Sequence, residues 1–424
     1  MLTKWLLGNE QNNKKSAVLW NAVGGAINAG QSAILLIFVT RSMGIITAGF
    51  VTIAYAIANL FLTMGKYGVR NYQVTDVKEK YAFSTYLYSR IIAVITVLII
   101  AVLYLVYCAN FGDYSMEKIY IILEITILKL IDSMEDVYLG RYQQRGRLDI
   151  GAKIMAVRLT ITTFEMCIVV LVTENIHLAV WLAVALSIII DYLLIYKSFK
   201  ITDTKDYTFD VGKILNLLKI CFPLCIGTTL SIYIGNVPKY MIDAYMSEEV
   251  QAIFGYIMMP VFVIMLLNNF IYQPMIKGLG DLWTANEKVV FKRTVFKQCL
   301  IVVGLTVIIL FAGLLLGLPI LSLLYNIDLS SCKVEFAILL LGGGFFALAS
   351  YLNVPITTIR KQNYIAVGYL VAAVLSLLLG RVLVVEYGML GAALLYLIVN
   401  AILVVTYIIV LIVGINKSNR EVDQ

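Results

Sequence analysis

Long apolar runs recur along almost the whole of this 424-residue chain, and they constrain it more than any motif does. About twelve are long enough to cross a bilayer as helices, which need about 20 apolar residues each. Their limits are 16–40, 44–64, 90–111, 118–139, 153–173, 176–196, 219–246, 250–272, 294–318, 333–353, 362–384 and 388–413, with ends good to ~2–4 residues. Hydrocarbon offers no water to backbone amides, so the runs must be helices, and the fold class is an all-α integral membrane protein. The charged fraction, 14%, is too small to cover a soluble protein of this size, where about 25% is usual. A soluble enzyme, a disordered chain and a secreted disulfide scaffold are excluded. The net charge of +7 requires no nucleic-acid partner, because the basic residues sort by loop.

With the N-terminus inside, 27 lysines and arginines fall on inner segments, and only Arg41, Lys118, Lys333 and Arg381 fall on outer ones. Cytoplasmic loops retain Lys and Arg, so the alternation supports twelve spans with both termini cytoplasmic. Lys14-Lys15 precede the first run and no small-residue cleavage site follows it, so this run is expected to stay in the mature protein. The polar stretch around Thr202-Asp203-Thr204-Lys205-Asp206 divides the chain into equal halves. The expectation is an N-terminal six-helix bundle over 1–200, a cytoplasmic linker over 201–218 and a C-terminal six-helix bundle over 219–424, around a central cavity. The loops are too short for a catalytic domain. No Walker A, Gly-x-Ser-x-Gly or zinc motif occurs, so the chain is not expected to be an enzyme or to carry a cofactor. The six cysteines read as apolar packing residues, and the single histidine, His177, gives no basis for a metal site.

Charges at bilayer depth cost about 2.5–3.5 kcal/mol each on insertion scales, so they face a partner or a wet cavity. In the fourth span Lys129, Asp132 and Asp136 fall within about 60° of one another. They form either an internal ion pair or a cavity wall in which Asp132 and Asp136 bind a cation or proton. With Glu124 and Glu135, this helix alone is net negative. In the seventh span Asn236, Lys239, Tyr240 and Asp243 share a stripe beside Pro238, which should loosen the helix. Lys239 either faces the cavity or snorkels. In the first span Asn21, Asn28 and Gln31 lie among Gly24, Gly25 and Gly30, a face suited to a ligand or to close packing. Arg158 and Glu165 lie seven residues apart in the fifth span, where Arg158 is either a site residue or an interfacial anchor. Asp191 is a weaker candidate near the inner end of the sixth.

Several segments are familiar together. They are Ser16-Ala17-Val18-Leu19-Trp20-Asn21, Arg41-Ser42-Met43-Gly44 and Tyr67-Gly68-Val69-Arg70-Asn71-Tyr72-Gln73-Val74-Thr75-Asp76. Gln144-Arg145-Gly146-Arg147-Leu148-Asp149 and Asn236-Val237-Pro238-Lys239-Tyr240-Met241-Ile242-Asp243 complete the set. Over nearly its whole length the chain resembles bacterial polysaccharide flippases of the Wzx type, within the multidrug/oligosaccharidyl-lipid/polysaccharide exporter superfamily. That resemblance implies a two-bundle transporter in the bacterial cytoplasmic membrane. It implies that undecaprenyl-pyrophosphate-linked oligosaccharide moves between leaflets by alternating access. The partners it implies are the lipid-linked glycan, membrane lipids and other polysaccharide-assembly proteins, with the chain itself monomeric. Arg70, Lys129, Arg158 and Lys239 would then attract pyrophosphate, and Asn21, Asn28, Gln31 and Asn236 would bind glycan hydroxyls. Asp132, Asp136, Glu165 and Asp243 would couple transport to Na⁺ or H⁺. The alternatives are a cation-coupled multidrug antiporter of the same superfamily and a membrane-embedded polysaccharide polymerase.

Overall fold

The computed structural model describes residues 2–7, 13–76, 79–199, 208–272 and 276–420, and every regular element among them is helical. Among the described residues, ten helical segments are long and apolar enough to cross a membrane. The chain is a multi-pass membrane protein. Residues 201–207 of the expected linker lie outside the described residues, and 211–218 already belong to a helix that begins at Val211.

Contacts divide the chain into two compact units, Met1–Thr229 and Leu230–Gln424. The first holds the short helix α1 (Leu2–Leu7), α2 (Asn13–Met43), α3 (Ile45–Lys66) and the short α4 (Val69–Thr75). It continues with α5 (Phe83–Phe111), α6 (Met116–Gln144), α7 (Leu148–Thr173) and α8 (Ile176–Phe199). The boundary falls within α9 (Val211–Tyr245). In this unit α3 is enclosed most completely, with every residue from Thr47 to Ala58 buried, and it packs against α2, α5 and α6. Small residues permit the close approaches. A Cβ at Gly24 would meet Met155 and Ala156 of α7, and one at Gly65 would stand 3.1 Å from Ser133 Oγ of α6.

The second unit contains α10 (Glu248–Tyr272), α11 (Ile276–Thr284), α12 (Lys288–Ala312), α13 (Leu318–Tyr325), α14 (Lys333–Thr358) and α15 (Asn363–Arg420). One π-helical turn, Gly313–Gly317, joins α12 to α13. α15 breaks at Gly388, whose φ of 60° and ψ of −135° are open to glycine but strained for other residues, so its two parts run as separate helices. Gly342-Gly343-Gly344 does not interrupt α14. Cβ atoms there would strike Tyr396, Val261 and Thr306, so the three glycines serve packing.

Candidate functional site

The charged residues of the first unit gather on α6, around Asp136 and around Arg158. The first group is built by a turn. α3 ends at Lys66, and Tyr67 (φ 52°) and Gly68 (φ 68°) both take left-handed conformations before α4 begins. Tyr67 N–H donates to the carbonyls of Thr63 and Met64 and closes the end of α3. The chain therefore reverses sharply and brings Lys66 and Arg70 to the same acid. α4 can lie close on α6 because residue 140 is glycine. A Cβ there would strike the Gln73 amide and come within 3.2 Å of Arg70 Cγ.

Asp136 then faces three cations. Arg90 Nη2 donates to its Oδ2 at 2.8 Å, Arg70 Nη1 donates to Oδ1 at 3.2 Å, and Lys66 Nζ stands 3.9 Å from Oδ1. Arg90 is fully buried, and its Nη1 also donates to Gly65 O and Ser133 Oγ, each at 3.3 Å. Arg70 Nη2 reaches Gln143 Oε1 at 2.9 Å. Three cations against one carboxylate leave two positive charges in excess. Lys66 and Arg70, 37% and 26% exposed, open on a polar cavity of about 590 Å³ that Asn71, Gln143, Thr63 and Thr228 help to line. Below this cavity Asp76 fastens the approach to α5. Its carboxylate accepts from Lys80 N–H, Tyr81 N–H and the Tyr86 hydroxyl. Partial burial works against ionisation there, yet those donors hold the carboxyl below its ordinary value.

The second group centres on Arg158 of α7. Its Nη2 lies 2.8 Å from Asp132 and 2.5 Å from Glu135, and its Nε lies 3.3 Å from Asp191 of α8. Lys129 Nζ donates to Asp132 Oδ2 at 3.2 Å and to Gln31 Oε1 of α2 at 2.7 Å, and stands 5.6 Å from the Tyr55 ring centroid. Lys129 therefore pairs with Asp132, while Asp136 is held by arginines from α4 and α5.

Other expected residues stand apart. Asn21 and Asn28 are exposed while Gln31 is buried, so that stripe does not act as one face. Glu165 does not meet Arg158, and both its carboxylate oxygens are buried without a hydrogen-bond partner among the described residues. In the second unit Asn236 Nδ2 donates to its own helix at Ile232 O. Lys239 is 5% exposed and faces the Phe262 ring at 5.6 Å, with no carboxylate partner among the described residues. Asp243 is half-buried one turn further along α9. Lys239 is enclosed, which removes the snorkelling alternative, and the same holds for an anchoring role at Arg158, 1% exposed. The net negative wall expected of the fourth span is also corrected. Five cations from α3, α4, α5, α6 and α7 face Asp132, Glu135, Asp136 and Asp191, and with Glu124, held by His177 and Trp181, the count is five acids to five cations, so the negative charge of the helix is neutralised by its neighbours. Lys66, Arg90, Glu135 and Asp191 complete the site. In the sequence, Lys66 and Arg90 belong to the 27 basic residues of the expected inner segments and carry no further signal.

No group of three or more potential metal ligands occurs among the described residues. Residues 15–277 match the model of the family described as "Polysaccharide biosynthesis protein". The capsular polysaccharide biosynthesis protein CapF of Staphylococcus aureus is 24% identical over 301 residues, covering 70% of this chain and 73% of CapF. Among solved structures, the lipid II flippase MurJ in an inward closed conformation aligns over 92% of this chain and 87% of its own, with a TM-score of 0.73 at 13% identity. An inward-facing multidrug resistance MATE transporter of the MOP superfamily aligns over 94% of this chain and 99% of its own, with a TM-score of 0.70 at 10% identity. At those identities the two structures speak to the fold alone.

Proposed function

The chain belongs to the polysaccharide biosynthesis protein family, and from that premise we propose that it is a flippase for oligosaccharide units carried on a polyprenyl pyrophosphate, undecaprenyl in bacteria. The observation that carries this reading is the cavity at Lys66 and Arg70, with two positive charges in excess. A pyrophosphate diester brings two ionised phosphates, and the Lys66 ammonium with the N–H groups that Arg70 does not spend on Asp136 and Gln143 can offer charge-assisted donors to them. Gln143, Asn71, Thr63 and Thr228 offer neutral polar contacts beside it, suited to sugar hydroxyls. The lipid tail need not leave hydrocarbon at all. The head alone requires a polar path, because it cannot cross the bilayer core unaided.

The finer architecture belongs to the same proposal. α6 is 29 residues long but too charged to count among the ten apolar segments, and α15 is divided at Gly388. Adding both supports twelve spans in two six-helix bundles with both termini cytoplasmic. The basic loops then put the Lys66–Arg70 cavity at the cytoplasmic end, where lipid-linked glycan is made. Alternating access would carry the head from there to the outer leaflet.

The test uses the purified chain in liposomes containing a fluorescent polyprenyl-pyrophosphate disaccharide, with quencher added outside. Lys66→Ala/Arg70→Ala is expected to lower the flipping rate at least tenfold while yield and melting temperature hold. Wild-type flipping by that double variant would overturn the site. Cation-driven efflux of an organic dye with no glycolipid movement would replace the flippase with the antiporter.

A further inference from the structure

Asp136 lines the Lys66–Arg70 cavity together with the two cations it faces there. An anion entering the cavity therefore meets a carboxylate that already holds the donors it needs. The three contacts of that carboxylate are unequal. Arg90 Nη2 lies 2.8 Å from Oδ2, and Arg90 is wholly buried and not among the residues lining the cavity. Arg70 Nη1 lies 3.2 Å from Oδ1, and Lys66 Nζ lies 3.9 Å from it, beyond hydrogen-bond reach. One oxygen thus belongs to a buried arginine and the other to side chains that face the cavity.

The two arginines also differ in freedom. Arg90 is fixed from two further directions, by Gly65 O and Ser133 Oγ at 3.3 Å each, and cannot turn to follow a ligand. Arg70 has one other hold, Nη2 on Gln143 Oε1 at 2.9 Å, about which Nη1 can swing between Asp136 and the open space of the cavity.

From these contacts we infer that Asp136 is an internal competitor of the substrate pyrophosphate. The incoming head takes Lys66 and Arg70 Nη1 from Oδ1, Arg90 keeps Oδ2, and Asp136 takes Arg70 back as the head leaves. The inference rests on the reading of this cavity as the pyrophosphate site. Charge closes in the bound arrangement: Arg90 balances Asp136, and Lys66 with Arg70 balances the two phosphates. The exchange therefore strands no charge of either sign. Without Arg90 it would leave a bare carboxylate beside an anion. Competition also limits affinity, because only the fraction of Arg70 free of Asp136 is ready for a phosphate, and the observed dissociation constant rises as that fraction falls. A carrier needs such a limit, since a head held by two unopposed cations would leave slowly.

The experiment is equilibrium binding of citronellyl methyl pyrophosphate, a sugarless diester with two ionised phosphates, to the full chain in nanodiscs at fixed ionic strength. Arg90→Met/Asp136→Asn removes one charge of each sign, so the positive excess of the site is unchanged while the competitor is gone. Binding about three- to tenfold tighter than wild type is expected. If net charge alone set affinity, binding would not change. Arg90→Lys also conserves charge, but an ammonium cannot reproduce the fork that serves Asp136, Gly65 and Ser133 together. Asp136 then draws more on Arg70, and binding about two- to threefold weaker is expected. Binding by the double variant no tighter than wild type overturns the exchange. If the double variant does not fold, Arg90→Lys decides alone, and binding equal to or tighter than wild type overturns it. Saturable wild-type binding that Lys66→Ala/Arg70→Ala abolishes upholds the pyrophosphate reading whichever way those variants fall. No saturable binding to the wild type would sink that reading and the exchange with it.

Discussion

Asp136 and Arg90 form the ion pair whose removal should distinguish a load shared by three cations from a private contact. Arg90 is fully buried and has one carboxylate partner, at 2.8 Å. Asp136 has three cationic partners. At an effective dielectric near 20, two unit charges at that distance attract by about 6 kcal/mol. Asp136→Asn removes this attraction and leaves a buried guanidinium facing only neutral acceptors, Gly65 O, Ser133 Oγ and the new amide oxygen. Removing one partner of a buried pair typically costs about 3–5 kcal/mol. For a unit of 229 residues, roughly 2–4 °C per kcal/mol gives a fall in melting temperature of roughly 6–20 °C. Arg90→Met is the milder change, because Arg70 and Lys66 still neutralise Asp136, and its cost is about 1–2 kcal/mol. The double variant should recover at least half of the loss in Asp136→Asn, since it strands no buried charge.

The assay is fluorescence-detected thermal unfolding of the four proteins in one detergent, compared as a double-mutant cycle. The order expected from most to least stable is wild type, Arg90→Met, the double variant, then Asp136→Asn. The reasoning fails if Arg90→Met is at least as damaging as Asp136→Asn. It fails equally if the double variant loses the sum of the two singles, because the charges would then not be coupled.

Three further outcomes are expected. Gly68→Ala should lower the melting temperature and weaken pyrophosphate binding together: a left-handed alanine costs roughly 1–2 kcal/mol, and its Cβ would stand 2.7 Å from Leu224 Cβ, which shifts Arg70. Because the folded carboxyl of Asp76 is held below its ordinary value of 3.8, its contribution is complete above pH 3.8 and is lost as pH falls through the lower folded value. Protection of the Lys80 and Tyr81 amides, measured against their intrinsic exchange rates at each pH, should therefore be lost only in that acid range, and Asp76→Asn should show the lower protection already at pH 7. Lys239→Met should leave the melting temperature unchanged or raise it, since a buried cation with no carboxylate partner among the described residues gives way to an apolar chain of similar volume. A fall in glycolipid flipping with that rise would mark Lys239 as functional, and unaltered flipping would remove it from the site.

Chain-wide helices were legible because crossing hydrocarbon is a property of composition, which needs no knowledge of partners. Their ends were not. The run expected at 90–111 begins at Phe83 and the one at 219–246 begins at Val211, because apolar runs mark hydrocarbon while helices continue into the interface. The short helices Leu2–Leu7 and Val69–Thr75 escaped the same test. Within the site, Lys129 with Asp132 was readable from spacing along one helix. Arg90 with Asp136 was not, since they lie 46 positions apart on different helices. Tyr67-Gly68 stood in a segment that carried the family resemblance, but its two left-handed residues and their effect on Lys66 and Arg70 appear only in three dimensions.

The same pairs explain why α6 is the span that hydropathy undervalues. Read alone, the helix carries Lys129, Asp132, Glu135 and Asp136 within eight residues. At about 2.5–3.5 kcal/mol each on insertion scales, those four charges oppose entry by about 10–14 kcal/mol. Its apolar residues must offset that, and its neighbours must relieve the rest. The relief comes from α2 through Gln31, from α4 and α5 through Arg70 and Arg90, and from α7 through Arg158. Stable insertion of α6 therefore depends on helices both before and after it in the chain. A span with that dependence is poorly suited to be a passive wall. Its charges are tolerable only as one assembled network, which is also what leaves the excess of positive charge around Asp136 at one place on the helix.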